Sequence, residues 1–393
     1  MVAGTAVRGT TVKTTLHDIP FARPEFDQAE ADAVAAVLRT GWASQGPAVA
    51  RFEELFAARV GARYGVAVSS CTTALHLALL LAGVEPGDEV ICPSYSFIAT
   101  ANAVLYAGAT PVFADIDEAT WNIDARDALR RISPRTKVVM PVHQVGLAAD
   151  LDAFAPLPPS VSIVEDAACA IGSSYKGRPI GSHGHIACFS FHPRKTLSTG
   201  EGGMITCDDV NVAERARRLR SHGASVSAHA RHESKGLIHE EYSELGYNYR
   251  LSDILAAVGI AQIPKVDAFL ARRRDVADRY DAAFAGMPQL RVPARPAYAS
   301  HAFQSYGVRL TDACARDRDD ILGALIDRGI SCRRGIPPIH LEPLYRRRFG
   351  SIALPVTEAV AARSIFLPMY ASLSETDQGR VVDAVTELVT HRA

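Results

Sequence analysis

Short apolar runs alternate with amphipathic segments through the middle of the chain. Seven runs rich in β-branched residues are predicted strands, at 64–69, 89–93, 110–115, 137–143, 162–165, 186–191 and 203–207. Several are apolar throughout, which is typical of strands buried on both faces of a mostly parallel sheet. Apolar spacing of three and four predicts helices between the early strands, for example at 73–82 and 97–106. The alternation predicts an α/β fold with a mostly parallel seven-stranded sheet.

The two ends of the chain differ from this middle part. The first 20 residues are polar, rich in threonine and without a period, which predicts a flexible tail. After residue 250 a helical pattern extends to about 284, and strand-like runs become fewer. We therefore expect a tail at 1–20, a large domain at 21–262 and a smaller C-terminal α+β domain at 263–393. Only a short stretch separates the last two predicted strands, which allows one of them to run in reverse.

Composition and charge narrow the class of protein. The chain has 393 residues, of which 48% are hydrophobic and 22% charged, as in a soluble globular protein. Lys plus Arg is 42 and Asp plus Glu is 43, so the net charge is −1. A nucleic-acid or polybasic membrane-surface protein needs a positive field that this balance does not supply. The first residues lack the apolar core of a signal peptide, so we expect a cytoplasmic protein.

The cysteines argue against a metal site. There are seven, and no two are closer than the 18 positions between Cys314 and Cys332. No CxxC pair exists, and an odd, scattered set is typical of reduced thiols in the cytosol. We expect no metal.

One of only six lysines has an unusual setting. Lys195 follows a predicted strand and precedes the small-residue run 196–203, TLSTGEGG. Loss of solvation there would lower the pKa of the amine and make it nucleophilic. The alternative is a surface lysine whose stem lies along the protein.

A carboxylate lies at the end of the predicted strand 162–165. Asp166 would stand at the carboxyl edge of the sheet, where α/β proteins place ligands. Alone it is equally a candidate helix cap. Together with Lys195 it suits pyridoxal phosphate (PLP), which needs a lysine to form a Schiff base and an anion beside its pyridine nitrogen.

Other residues fit the remaining needs of that cofactor. The segment 68–79, VSSCTTALHLAL, reads as a strand, a small-residue turn and a helix, whose free N–H groups attract a phosphate. The alternative is simple capping by Ser70 or Thr72. Phe97 could stack on the ring, although by itself it is more typical of the core.

The chain resembles a known family in the order of its motifs. The segments GWASQGP, SSCTTALHLAL, PSYSFIATANAV, GATPVFADID, VEDAA, FSFHPRKTLSTGEGGM and GYNYRLSD resemble those of the PLP-dependent sugar aminotransferases of the DegT/DnrJ/StrS type. The resemblance runs from about residue 21 to the end and is strongest at 41–260. It implies the aspartate-aminotransferase-like fold (PLP fold type I) and a homodimer with shared active sites.

The resemblance also implies roles for single residues. Lys195 is similar to the lysine that forms the Schiff base, Asp166 to the partner of the pyridine nitrogen, and Phe97 to the aromatic residue stacked on the ring. The implied phosphate ligands are Cys71, Thr72, Ser190 and, from the neighbouring subunit, Asn248.

Two positions bear on the reaction. The family usually reads DAAQ where this chain has Cys169, and a thiol is a weaker hydrogen-bond donor than the missing glutamine. Relatives that remove a sugar hydroxyl have histidine in place of the lysine, so Lys195 favours transamination.

The implied reaction moves an amino group from glutamate or glutamine to a keto sugar, often nucleotide-linked, in amino-sugar or secondary-metabolite biosynthesis. His192, His340 and Arg250 are candidate substrate contacts, and each has a structural or solvated alternative. A keto cyclitol or other ketone as acceptor, and a non-catalytic PLP-binding sensor, remain open.

Overall fold

The structure, a computed structural model, describes residues 17–226 and 239–390. The strands of these residues, in chain order, are β1 (Tyr64–Val68), β2 (Glu89–Pro93), β3 (Thr110–Ala114), β4 (Thr136–Val139), β5 (Ser162–Asp166), β6 (Ser174–Tyr175), β7 (Arg178–Pro179), β8 (Ile186–Ser190), β9 (Gly203–Cys207), β10 (Leu290–Arg291), β11 (Ala299–Ser300), β12 (Tyr306–Leu310), β13 (Arg333–Arg334) and β14 (Ser364–Leu367).

The α-helices of the described residues lie between and after these strands. They are α1 (Gln28–Thr40), α2 (Pro47–Val60), α3 (Cys71–Leu81), α4 (Ala99–Tyr106), α5 (Ala125–Arg130), α6 (Val210–Leu219), α7 (Asp253–Gln262), α8 (Val266–Phe284), α9 (Arg318–Asp327), α10 (Pro343–Phe349), α11 (Pro355–Arg363) and α12 (Glu375–Thr390).

The large sheet has seven strands in the order β1-β9-β8-β5-β4-β2-β3. The pairs from β8 through β5, β4 and β2 to β3 are parallel. Strand β9 is antiparallel to both of its neighbours, β1 and β8. The predicted mostly parallel seven-stranded sheet is therefore confirmed, and the reversed strand is the last of the seven.

Alternate residues of each central strand enter different cores, because successive side chains of a strand point to opposite faces. In β8, Cys188 packs with α3 and α4, while Ala187 and Phe189 pack with α2 and α7. Both faces of the sheet are covered by helices, which explains why these strands are apolar throughout.

A second, antiparallel sheet has the order β10-β12-β14-β13 and packs with α9 and α12. Helix α8 contributes to both parts of the molecule, because Val266 and Leu270 lie in the core of the large sheet while Val276 and Tyr280 lie in the second core. We propose 21–262 and 263–393 as the two domains, with α8 shared between their cores.

The predicted tail is anchored where the structure describes it. Residues 1–16 lie outside the described residues. Ile19 is fully buried, and its backbone N–H donates to the carbonyl of Gly329 at 2.8 Å. It lies in the second core because its apolar side chain has a partner far away in sequence, which a local pattern does not reveal.

The helical run Asp253–Phe284 is long and apolar enough to cross a membrane by length and composition alone. The core helix of a soluble protein meets the same criterion. In this chain the run is interrupted by a 3₁₀ turn, Ile263–Lys265, and it contributes side chains to both cores.

Candidate active site

The candidate residues meet at one edge of the large sheet. Strands β2, β5 and β8 are parallel, so their carboxyl ends share this edge. The reversed strand β9 starts there, with Gly203 paired to both Val68 and Ser190. This is the edge at which open α/β sheets bind ligands.

Asp166 ends β5 and is 4% exposed. Its Oδ2 accepts a hydrogen bond from Thr100 Oγ1 at 2.8 Å, and its Oδ1 accepts one from the backbone N–H of Ala168 at 3.1 Å. Burial raises the pKa of Asp166, and these hydrogen bonds together with the charge of Lys195 offset the effect only in part. The chain continues from β5 into a turn, so the helix-cap alternative does not apply.

The amine of Lys195 lies near Asp166. Its Nζ donates to Cys169 Sγ at 3.1 Å, and its charge interacts with Cys71 and Asp166. The surface-lysine alternative is therefore excluded.

The pKa of Lys195 shifts in the direction opposite to our prediction. Burial alone lowers it, as expected, but Cys169, Cys71 and Asp166 outweigh burial and raise the pKa above its ordinary value. The prediction considered solvation alone, because nothing in the local sequence indicates that these distant groups surround the amine. Without a cofactor, Lys195 is an ammonium ion.

Phe97 lies in the turn between β2 and α4. Its ring is 67% exposed, so the core alternative is wrong. Its backbone carbonyl accepts a hydrogen bond from the N–H of Thr100 at 3.0 Å. Thr100 also binds Asp166, so one helical turn joins the exposed ring to the buried carboxylate.

The start of α3 has free amide groups. Ser70 caps the helix by accepting from the N–H of Thr73 at 3.2 Å, which leaves the N–H groups of Cys71 and Thr72 directed out of the helix end. A Cβ atom at Gly203 would lie 2.6 Å from the nitrogen of Cys71, so only glycine lets β9 begin this close to the helix. Burial, reinforced by Asp166, raises the pKa of the Cys71 thiol, so Cys71 offers its amide rather than a thiolate.

Ser190 ends β8 next to this helix start. It is 7% exposed, and its Oγ accepts a weak hydrogen bond of 3.4 Å from the N–H of His192. Burial, followed by the charge of Arg194, lowers the pKa of His192, which is therefore neutral.

The segment that holds Asn248 and Arg250 runs beside the same helix start, because the carbonyl of Tyr249 accepts from the N–H of Ser69 at 2.8 Å. Arg250 Nη1 donates to Ser221 Oγ at 3.1 Å. Asn248 is exposed. This exposed side chain near the start of α3 leaves room for a role across a subunit interface.

His340 has a structural environment. It is 1% exposed, its Nδ1 lies 2.6 Å from Ser94 Oγ, and its Nε2 lies 3.2 Å from Glu358 Oε1. Both ring nitrogens are occupied within the protein, so we do not retain His340 as a substrate contact.

The sequence analysis missed Thr100 and the surroundings of Glu165. Thr100 lies three residues after Phe97, which places both on one turn of the predicted helix, and this spacing could have indicated it. Glu165 is fully buried between His143 and His185, which are 22 and 20 residues away and share no motif with it.

Comparisons with known proteins agree with this geometry. The model of the DegT/DnrJ/EryC1/StrS aminotransferase family matches residues 24–386. The chain is 40% identical over 379 residues to the spore coat polysaccharide biosynthesis protein SpsC of Bacillus subtilis (strain 168), covering 95% of this chain and 97% of SpsC.

Solved structures give the same result. The sugar aminotransferase CalS13 from Micromonospora echinospora is 30% identical, with a TM-score of 0.85 over 94% of this chain and 99% of CalS13. The PLP-form of Spr1654 from Streptococcus pneumoniae is 28% identical, with a TM-score of 0.87 over 95% of this chain and 100% of that one. The predicted aspartate-aminotransferase-like fold is confirmed.

The residues at the sheet edge fit PLP. The cofactor needs an amine, an anion beside its ring nitrogen, a phosphate site and a flat apolar neighbour. The amine of Lys195 and the carboxylate of Asp166 are near each other, so that their charges interact. The amides of Cys71 and Thr72 leave the end of α3, and the ring of Phe97 has an uncovered face.

The comparisons cover nearly the whole chain, and they agree with the fold and with the residues at the site. The resemblance inferred from seven motifs is thereby confirmed. The chain belongs to the DegT/DnrJ/EryC1/StrS aminotransferase family.

Proposed function

We propose that this PLP-dependent aminotransferase moves an amino group from glutamate or glutamine to a nucleotide-linked keto sugar, in amino-sugar or antibiotic biosynthesis. One observation carries the proposal: the amine of Lys195 lies close enough to the buried carboxylate of Asp166 for their charges to interact. Family membership supports the amino transfer. The names of SpsC, a polysaccharide biosynthesis protein, and of CalS13, a sugar aminotransferase, support a sugar as the acceptor.

Lys195 and Asp166 have complementary tasks in this proposal. When bound, PLP supplies a ring that accepts electrons from a substrate carbon. Lys195 Nζ would hold the cofactor, and its amine is the group that could move a proton at the Cα atom of the amino donor. Asp166 would hold a positive charge at the ring nitrogen and so favour negative charge on the substrate.

Other residues position the cofactor and exclude water. The exposed side chain of Phe97 would cover one face of the ring. The amides of Cys71 and Thr72 would bind the phosphate with help from the helix dipole, and the hydroxyl of Ser190 would contribute from the end of β8. We assign one more phosphate contact to the exposed Asn248 of a second copy, so the enzyme would be a homodimer.

The acceptor side involves His192 and Arg250. His192 is neutral and lies next to Lys195, so it can donate a hydrogen bond to a sugar hydroxyl. Arg250, beside the start of α3, can bind an anionic part of the substrate. The seven free thiols suit a cytoplasmic location.

The decisive experiment replaces Lys195 by alanine. We expect the variant to lose multiple-turnover transamination and the yellow absorption of covalently bound PLP, because alanine has no amine. The matched control is Lys176→Ala, which removes an exposed lysine whose side chain is 56% accessible. Normal turnover by Lys195→Ala with free PLP would refute the assigned role.

The acceptor class is tested separately. The enzyme loaded with an amino group from glutamate or glutamine is mixed with keto sugars, keto cyclitols and simple 2-oxo acids, and loss of the amino form of the cofactor is followed by absorption. Fastest reaction with a nucleotide-linked keto sugar is expected. Preference for a keto cyclitol would replace the sugar assignment, and PLP binding without any conversion by either donor would favour a sensor.

A further inference from the structure

Two buried hydroxyl groups connect α4 to Asp166. Ser96 Oγ lies 2.7 Å from Thr100 Oγ1, and Thr100 Oγ1 lies 2.8 Å from Asp166 Oδ2. Ser96 is 3% exposed and Thr100 is 1% exposed. The three side chains form a row that water does not reach.

The direction of these hydrogen bonds follows from the number of protons. An ionised carboxylate only accepts, and a threonine hydroxyl has one hydrogen. Thr100 therefore donates to Asp166, and Ser96 in turn donates to Thr100. Hydrogen bonds in such a row polarise one another, which strengthens the one that ends on the charge.

Thr100 also fixes the backbone on the other side of the site. Its N–H donates to the carbonyl of Phe97 at 3.0 Å, in the first turn of α4. The residue thus joins the side chain that would cover the ring to the side chain that would bind the ring nitrogen.

We propose that Thr100 is a positioning residue for this enzyme: its hydroxyl, oriented by Ser96, holds Oδ2 of Asp166 so that the carboxylate stays ionised and directed at the ring nitrogen of the cofactor. The inference rests on the proposed role of Asp166. A hydrogen bond to a charged group that is buried contributes enough for its loss to weaken the interaction by about 10- to 100-fold.

The test compares Thr100→Val, Thr100→Ser and Ser96→Ala. Valine keeps the shape of threonine and the backbone N–H but lacks the hydroxyl, whereas serine retains it. Thr206→Val is the matched control, because Thr206 is a fully buried threonine of β9 whose hydroxyl faces the carbonyl of Ala187 instead of the site. Three quantities are measured: the dissociation constant of PLP, the pH dependence of its visible absorption in the bound state, and the melting temperature of the cofactor-free protein.

We expect Thr100→Val to weaken PLP binding by about 10-fold or more and to displace the pH titration of the absorption. Thr100→Ser should restore both, Ser96→Ala should cause a smaller displacement in the same direction, and Thr206→Val should match the wild type. A folded Thr100→Val with unchanged affinity and titration would overturn the inference. So would a Thr100→Ser variant as impaired as Thr100→Val, because shape and not the hydroxyl would then matter.

If Thr100→Val does not fold, the inference is tested with Ser96→Ala. An unchanged pH titration of the absorption of bound PLP in that variant would overturn the inference. Asp166→Asn separates this inference from the proposed function. An unchanged titration in Asp166→Asn would refute the role of Asp166 itself. A displaced titration in Asp166→Asn with a normal one in Thr100→Val would refute only the role of Thr100.

Discussion

Glu165 and Asp166 are neighbours in β5 and equally deep in the protein, yet their pKa values move in opposite directions. Their side chains point to opposite faces of the sheet, as strand geometry requires. Glu165 accepts from His143 Nε2 and His185 Nδ1, each at 2.8 Å. Burial alone would raise the pKa of Glu165, but these two partners reverse the effect and lower it to about 2. For Asp166 the effect of burial prevails.

The difference between the two carboxylates lies in their hydrogen-bond donors. His143 Nδ1 accepts from the N–H of Ala149 at 3.1 Å, so its ring proton is on Nε2 and is donated to Glu165. Glu165 therefore has two imidazole donors. Asp166 has a hydroxyl and an amide as donors, and within residues 17–226 and 239–390 no cation is hydrogen-bonded to it. A buried carboxylate whose oxygens are both bonded to imidazole donors contributes to stability. A buried carboxylate that has no cationic partner in the protein is suited to bind a positively charged group of a ligand.

The largest effect expected from this comparison concerns the stability of the cofactor-free protein. Replacing Glu165 by alanine should lower the free energy of unfolding by about 3–5 kcal/mol, because the buried imidazole of His143 and the partly exposed one of His185 lose their partner. Asp166→Asn should not lower it, since the ionised side chain is disfavoured by burial. Urea unfolding of the two variants measures both values. If Asp166→Asn proves the more damaging substitution, the contrast between the two sites is wrong.

A second prediction concerns pH. The pKa of Glu165 is lower in the folded protein than the ordinary value of 4.5, so its contribution is present above about pH 4.5 and is lost as the pH falls toward 2. The raised pKa of Asp166 has the opposite sign, because protonation at low pH relieves its cost. As the pH falls, the free energy of unfolding should therefore decrease less in Glu165→Gln than in the wild type. In Asp166→Asn it should decrease more. The measurement is the unfolding free energy in urea between pH 2 and 6, and equal slopes in both variants would contradict it.

The smallest expected effect concerns the amine opposite Asp166. Cys169 Sγ accepts from Lys195 Nζ and contributes to the raised pKa of that amine. Cys169→Ala should lower the pKa of Lys195 and so speed the binding of PLP to cofactor-free enzyme at neutral pH by a small factor. The control is Cys314→Ala, at a partly buried thiol in the second domain. Stopped-flow absorption at several pH values measures the rate, and an unchanged profile would show that the sulfur has no influence.

Much of the fold could be predicted from the sequence because the relevant information is local. The strands of the large sheet are short apolar runs, and all seven lie where the pattern predicts them, although β4 ends at Val139 rather than at 143. The short connection before β9 allows a reversed strand, and the structure shows that β9 is the strand that runs in reverse. The anchoring of Ile19 was not predicted, because its partner Gly329 is far away in the sequence.

The candidate site divides in the same way. Lys195, Asp166 and Phe97 were found from residue type, position after a strand and the order of motifs. The pKa direction of Lys195 was missed because it depends on sulfur and carboxylate groups brought in by other loops. The same reason applies to His340, whose ring is hydrogen-bonded to Ser94, 246 residues away in the sequence.

Helix α8 restricts how the enzyme opens and closes. A continuous helix bends little over a few turns, and Val266 and Tyr280 on this one are fixed in different cores. The two halves of the molecule are thus joined by a stiff helix rather than a hinge, and a large rotation of one half within residues 266–280 would break backbone hydrogen bonds of this helix. We therefore expect substrate entry and product release to depend on movements of short surface segments, such as the turn that holds Phe97. The two halves of the molecule should not move relative to each other.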